Sequence, residues 1–106
     1  MSWNMSWQMP EGGPHHVAIR QKLYEARQSE VDNFFGRPLW RDSHAYRHEH
    51  VSYEVFSFKE EADALKFMAA FEGEPFDPRD IGGGSKWMFW FKGRVSGRKK
   101  NPYKFD

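Results

Sequence analysis

Five large apolar side chains follow one another in Trp87-Met-Phe-Trp-Phe91, bounded by Lys86 and Lys92. An extended backbone sends successive side chains to opposite sides, so such a run cannot hide all of its bulk on one side of a sheet. With 106 residues the chain has material for one core. The run therefore demands a sheet whose two faces are treated differently. The chain contains no cysteine, so packing alone must hold that core, and disulfides, thiolate metal sites and thiol catalysis are excluded. Aromatics, at 18%, provide the bulk a small core needs, and the 29% of charged residues fits a globular chain rather than a disordered one.

The N-terminus has neither the basic stretch nor the apolar run of a secretory leader. No segment approaches the ~20 apolar residues of a membrane span. A cytoplasmic protein without membrane association is expected. The net charge of +1 selects no partner class, but the basic residues Lys92, Arg94, Arg98, Lys99, Lys100 and Lys104 crowd the C-terminal end without an intervening carboxylate. Residues 1–92 are expected to form a single α+β domain and 93–106 a basic tail.

Met1, Trp3, Met5, Trp7 and Met9 alternate with polar residues, the pattern of a half-buried strand, and Pro10-Glu-Gly-Gly-Pro14 ends it. From His15 to Phe35 the apolar residues fall at helical spacing, with Pro14 suited to the first turn and Gly36 to the end. Arg20 and Arg27, seven apart, lie between its apolar stripes and form a candidate anion-binding pair. Arg37 to Asp42 predicts a short edge strand, and His48 to Phe58 a longer one. Ser57-Phe-Lys-Glu60 has the form of a capping box, and Ala64, Phe67, Met68 and Phe71 mark the buried stripe of a second helix, stopped by Gly73. Lys86 to Lys92 is the expected last strand. The order strand, helix, strand, strand, helix, strand predicts a ferredoxin-like βαββαβ sandwich, a four-stranded antiparallel sheet with two helices on one face.

Parity then divides the strands. Val51, Tyr53 and Val55, with Trp87, Phe89 and Phe91, are expected to face the helices, because the reverse would expose three aromatics at once. Phe56, Lys86, Met88, Trp90 and Lys92 are left on the open face beside His48, His50, Ser52 and Glu54. Aromatic faces flanked by lysines suit single-stranded nucleic acid, and RNA-recognition modules use the same sheet face, although their sequence signature is absent. The expected function is a non-enzymatic binding module that engages nucleic acid or a nucleoprotein through this face and the tail. A protein partner, in a homodimer, an adaptor or an inhibitor of a larger complex, fits Trp, Met and Phe equally well.

His48 and His50 share a strand face, the geometry of a His-x-His metal pair, with Glu54 as a third weak candidate. A complete ligand set is not evident, and no metal or other cofactor is expected. Ile81-Gly-Gly-Gly-Ser-Lys86 resembles part of a phosphate loop, but a strand is expected where a helix is required. Asp77 and Asp80 are expected to be solvated in their loop rather than to hold a cation.

Overall fold

The computed structural model describes residues 13–94. The strand expected at residues 1–9 and the tail cations Arg98, Lys99, Lys100 and Lys104 lie outside the described residues. The elements in chain order are β1 (His15–Arg20), α1 (Gln21–Ala26), α2 (Gln28–Asp32), β2 (Trp40–Arg41), β3 (Tyr46–His48), β4 (Val51–Phe58), α3 (Glu61–Phe71) and β5 (Glu74–Pro75). Short 3-10 turns follow at Pro78–Asp80 and Gly84–Lys86. None of the described helices is long and apolar enough to cross a membrane.

The five described strands form one antiparallel sheet, correcting the expected four, because β2 and β3 both pair with β4 where one strand was expected. The described helices number three rather than two. β1 runs along one edge of β4 from His15↔Phe58 to Arg20↔Tyr53, and its other edge takes β5 at Val17↔Pro75 and Ala18↔Glu74. β2 and β3 share the remaining edge of β4, β2 opposite Phe56 and Ser57 and β3 opposite Val51 to Tyr53.

The long helix expected from His15 to Phe35 is corrected to a strand followed by two short helices. Val17, Ala18 and Ile19 are all fully buried, which occurs when a strand is covered on both faces. Such a strand shows no alternation, and its β-branched residues then read as the start of the helical periodicity that genuinely begins at Gln21. The helical path is interrupted at Arg27 (φ −127°, ψ 32°), which separates α1 from α2. α3 matches its expected stripe, with Ala64, Phe67, Met68 and Phe71 buried. Its cap does not. Ser57 belongs to β4, and Glu60 stands at the N-cap without a side-chain hydrogen bond. Glu72, in the left-handed conformation (φ 54°), ends the helix one residue before the expected Gly73, whose glycine is required by closeness: a Cβ there would lie 2.7 Å from Val17 Cγ1.

Two cores flank the sheet. On the helical face, Val17, Ile19, Phe56 and Phe58 meet Tyr24, Val31 and the stripe of α3. On the reverse face, Ala18, Tyr53 and Val55 pack with Tyr46, Phe76 and Trp90, and Ile81 closes the edge. The expected parity of β4 is therefore reversed. Phe56 faces the helices and is 1% exposed, whereas Tyr53 and Val55 face away from them. The reverse face is not open at these positions, because the segment after β5 folds back over it.

Candidate nucleic-acid interface

The segment expected as the last strand is a turn followed by isolated bridges, and hydrogen bonds on both of its sides hold it. Arg47 N–H donates to the Met88 carbonyl (2.8 Å) and Trp90 N–H donates to that of Arg47 (2.7 Å), attaching the segment to the outer edge of β3. On its far side Gly82 N–H donates to the Phe89 carbonyl and Phe91 N–H to that of Asp80, both at 2.9 Å. Beyond these, Gly93 N–H donates to Oδ2 of the buried Asp80 at 3.0 Å. Gly82 is required by proximity, since a Cβ would stand 2.5 Å from the Lys86 carbonyl oxygen and 2.8 Å from Phe91 Cε2.

This clamping decides the parity of the aromatic run. Trp90 turns inward and is 3% exposed, with Tyr53 edge-on at 5.1 Å, Phe76 at 5.0 Å and His48 at 6.0 Å between ring centroids. Its indole N–H has no hydrogen-bond partner among the described residues. Phe89 and Phe91 turn the other way, half-buried, with centroids 6.4 Å apart and planes 35° from each other. The expectation that Trp90 lies on an open face while Trp87, Phe89 and Phe91 are core is corrected: Trp90 is core, Trp87 is exposed, and Phe89 and Phe91 are half-buried. The objection to exposing three aromatics does not arise, because of the three only Trp87 is exposed and Phe89 and Phe91 are half-buried beneath cations. Lys86 Nζ stands 5.4 Å over the Phe89 ring and the Arg94 guanidinium 4.4 Å over the Phe91 ring, so charged groups cover apolar faces. Arg47, bridged to Phe89, lies beside it.

Trp87, just beyond the Gly84–Lys86 turn, is 43% exposed, and neighbouring Met88 is 40% exposed. His44 meets the Trp87 ring at a 75° interplanar angle with centroids 4.8 Å apart. The turn is closed by Lys86 N–H on the Gly83 carbonyl (3.0 Å) and Phe89 N–H on that of Lys86 (3.0 Å). Of the residues expected at the interface, Lys86 and Arg94 lie over the neighbouring rings of Phe89 and Phe91, and Met88 is exposed. Arg47, not singled out from the sequence, and Trp87, Phe89 and Phe91, expected there as core, border the same segment. The usable signal was the position of Lys86 and Arg94, each three residues from the ring it covers.

The other candidates are elsewhere. Phe56 lies in the helical core. Lys92 is half-buried, its Nζ donating to both carboxylate oxygens of Glu74 (2.8 and 3.0 Å) and lying 4.9 Å over Trp90. Arg27 is paired with Glu30 at 2.6 Å and lies over Phe71, while Arg20 ends β1, so the two do not share the helix on which their pairing was expected. The metal candidates are separated by the sheet. His48 turns to the Trp90 side, its Nδ1 3.0 Å from the Trp90 carbonyl oxygen. Glu54 lies on the helical side, receiving Gln21 Nε2 and Arg41 Nη1 at 2.9 Å each, and His50 sits in the exposed turn before β4. No group of three or more His, Asp or Glu residues is placed to hold a metal ion among the described residues.

Two further polar clusters are structural. His16 Nδ1 and Ser57 Oγ share a hydrogen bond of 2.7 Å across β1 and β4. Tyr46 donates to Asp42 Oδ2 at 3.0 Å, and burial, with the Asp42 charge, holds its hydroxyl proton far above the ordinary phenol range. The chain matches no protein-family model, no curated protein and no solved structure.

Proposed function

We propose that this protein is a small binding module without catalytic activity that engages nucleic acid or a nucleoprotein through the outer side of residues 86–94 and the basic tail. One observation carries the reading. Arg47, Lys86 and Arg94 have no carboxylate partner among the described residues, a property they share with Arg20, Lys22, Lys59 and Lys66, but only the first three lie along one aromatic segment. No acidic residue occurs from Ile81 to Phe105. Arg98, Lys99 and Lys100 extend the same sign of charge. A cationic surface of this kind releases counterions when it meets phosphates.

The ferredoxin-like reading belongs to the same proposal. It is supported by the strand order, which becomes βαββαβ when β2 and β3 are counted as one interrupted strand along β4. A cytoplasmic location accords with a cysteine-free chain. A protein partner is the second reading, favoured by the adjacent exposed Trp87 and Met88.

The test is binding to mixed-sequence oligonucleotides over a range of salt. Affinity is expected to fall with added salt, with a logarithmic slope of about 0.7 per phosphate contacted. The triple variant Arg47→Gln/Lys86→Gln/Arg94→Gln is expected to lower that slope. Absence of binding at low salt defeats the proposal, and light scattering then tests self-association.

A further inference from the structure

We infer that Trp87, Phe89 and Phe91 stack the unpaired bases of a single nucleic-acid strand, and that Lys86 and Arg94 are ring covers that give way to them. The inference rests on the nucleic-acid reading above and specifies which form of the polymer fits.

The rings are placed for this task. Phe89 and Phe91 lie two residues apart on one side of a segment anchored along both edges, and Trp87 projects from the closed turn before them. Rings held on a backbone that cannot slide lose little freedom on binding. A cation on a flexible stem lies over each phenyl ring. A base face stacks on an aromatic ring more strongly than an exposed cation does. Displacement also frees the ammonium and the guanidinium for phosphates, so one movement serves both contacts. Arg47, beside Phe89, adds a third cation to the same track.

The geometry favours a single strand over a duplex. In a duplex the base faces are occupied by neighbouring base pairs, and recognition of unpaired bases by aromatic stacking requires bases that can be splayed out. Nothing in the arrangement selects a sequence, because every base offers a π-face. Bound DNA and bound RNA are equally compatible with it.

The experiment compares a mixed-sequence single strand, as DNA and as RNA, with the same strand annealed to its complement. It uses the full chain and the variants Trp87→Ala, Trp87→Phe, Phe89→Leu and Phe91→Leu, with folding checked by circular dichroism. Trp87→Ala is expected to weaken single-strand binding about 5- to 100-fold, with recovery in Trp87→Phe. The leucine variants keep apolar bulk and remove the π-face; they are expected to weaken binding while leaving the salt slope unchanged. Equal affinity for single strand and duplex, together with insensitivity to all four variants, overturns stacking and leaves a purely electrostatic module. Preference for the duplex overturns it as well. No binding of any polymer at low salt overturns the nucleic-acid reading itself.

Discussion

His16 and Ser57 face each other across β1 and β4, with Nδ1 and Oγ 2.7 Å apart on the reverse face of the sheet. Burial lowers the pKa of His16 below its ordinary 6.5; the nearby Asp77 charge opposes the shift only in part. The unfolded chain therefore takes up a proton at higher pH than the folded one. His16 contributes stability that is fully present above about pH 6.5 and is lost as pH falls through the lower folded value. Urea midpoints measured across this range are expected to drop on acidification, and His16→Gln is expected to flatten the profile. An unchanged profile in that variant would assign the dependence to other groups.

Glu54 is a buried carboxylate with both oxygens occupied, one by Gln21 and one by Arg41. Removing the cation leaves the charge half-satisfied in the core. Arg41→Ala is expected to cost about 1–3 kcal/mol, below the value for a fully buried pair because the guanidinium is partly solvated. Chemical denaturation at neutral pH measures it. A cost indistinguishable from zero would mean that water replaces the guanidinium.

Trp90 is a core residue with an unpartnered N–H. Trp90→Ala is expected to cost about 3–5 kcal/mol through the cavity it leaves. Both variants remove the unsatisfied donor, whose burial costs about 1–3 kcal/mol, but Trp90→Phe keeps an aromatic ring and leaves a much smaller cavity. In Trp90→Phe the two effects offset, so it is expected to stay close to wild type in a urea titration. Equal losses in the two variants would refute that balance.

Gly82 and Gly83 make a controlled pair. A Cβ at Gly82 collides with the Lys86 carbonyl and the Phe91 ring, while one at Gly83 has nothing within 4 Å. Gly82→Ala is expected to cost about 1–3 kcal/mol and to disturb the Phe89–Phe91 surface. Gly83→Ala is expected to be neutral in both respects. Thermal unfolding of the two variants separates them.

Where one periodicity was unopposed, the sequence was a sound guide. The α3 stripe at Ala64, Phe67, Met68 and Phe71 is buried as its spacing requires, and β4 is a strand from Val51, although the expected strand from His48 is broken by the turn at Glu49 and His50, which puts His48 in β3. Trp40–Arg41 forms its short strand within the expected edge segment. The failures share a cause. β1 is buried on both faces, so Val17, Ala18 and Ile19 carry no period-two signal to oppose the helical spacing that follows. In β4 the two parities, Tyr53 and Val55 against Phe56 and Phe58, are both apolar, so the pattern cannot say which set meets the helices.

The site shows the same division. That a basic, aromatic segment exists near the C-terminus was evident from residues 86–94 alone. Which rings are core was not. Apolar bulk on both sides of the run permits either parity in isolation, and the bridges to the distant Arg47 on one side and to Ile81 across the intervening turn on the other turn Trp90 inward. Local spacing determined the helix α3, the strand β4 and the placement of cations beside aromatics, because those depend on neighbours a few residues away. The tertiary structure decided which face each ring occupies, because that choice depends on hydrogen bonds and packing partners the local pattern does not contain.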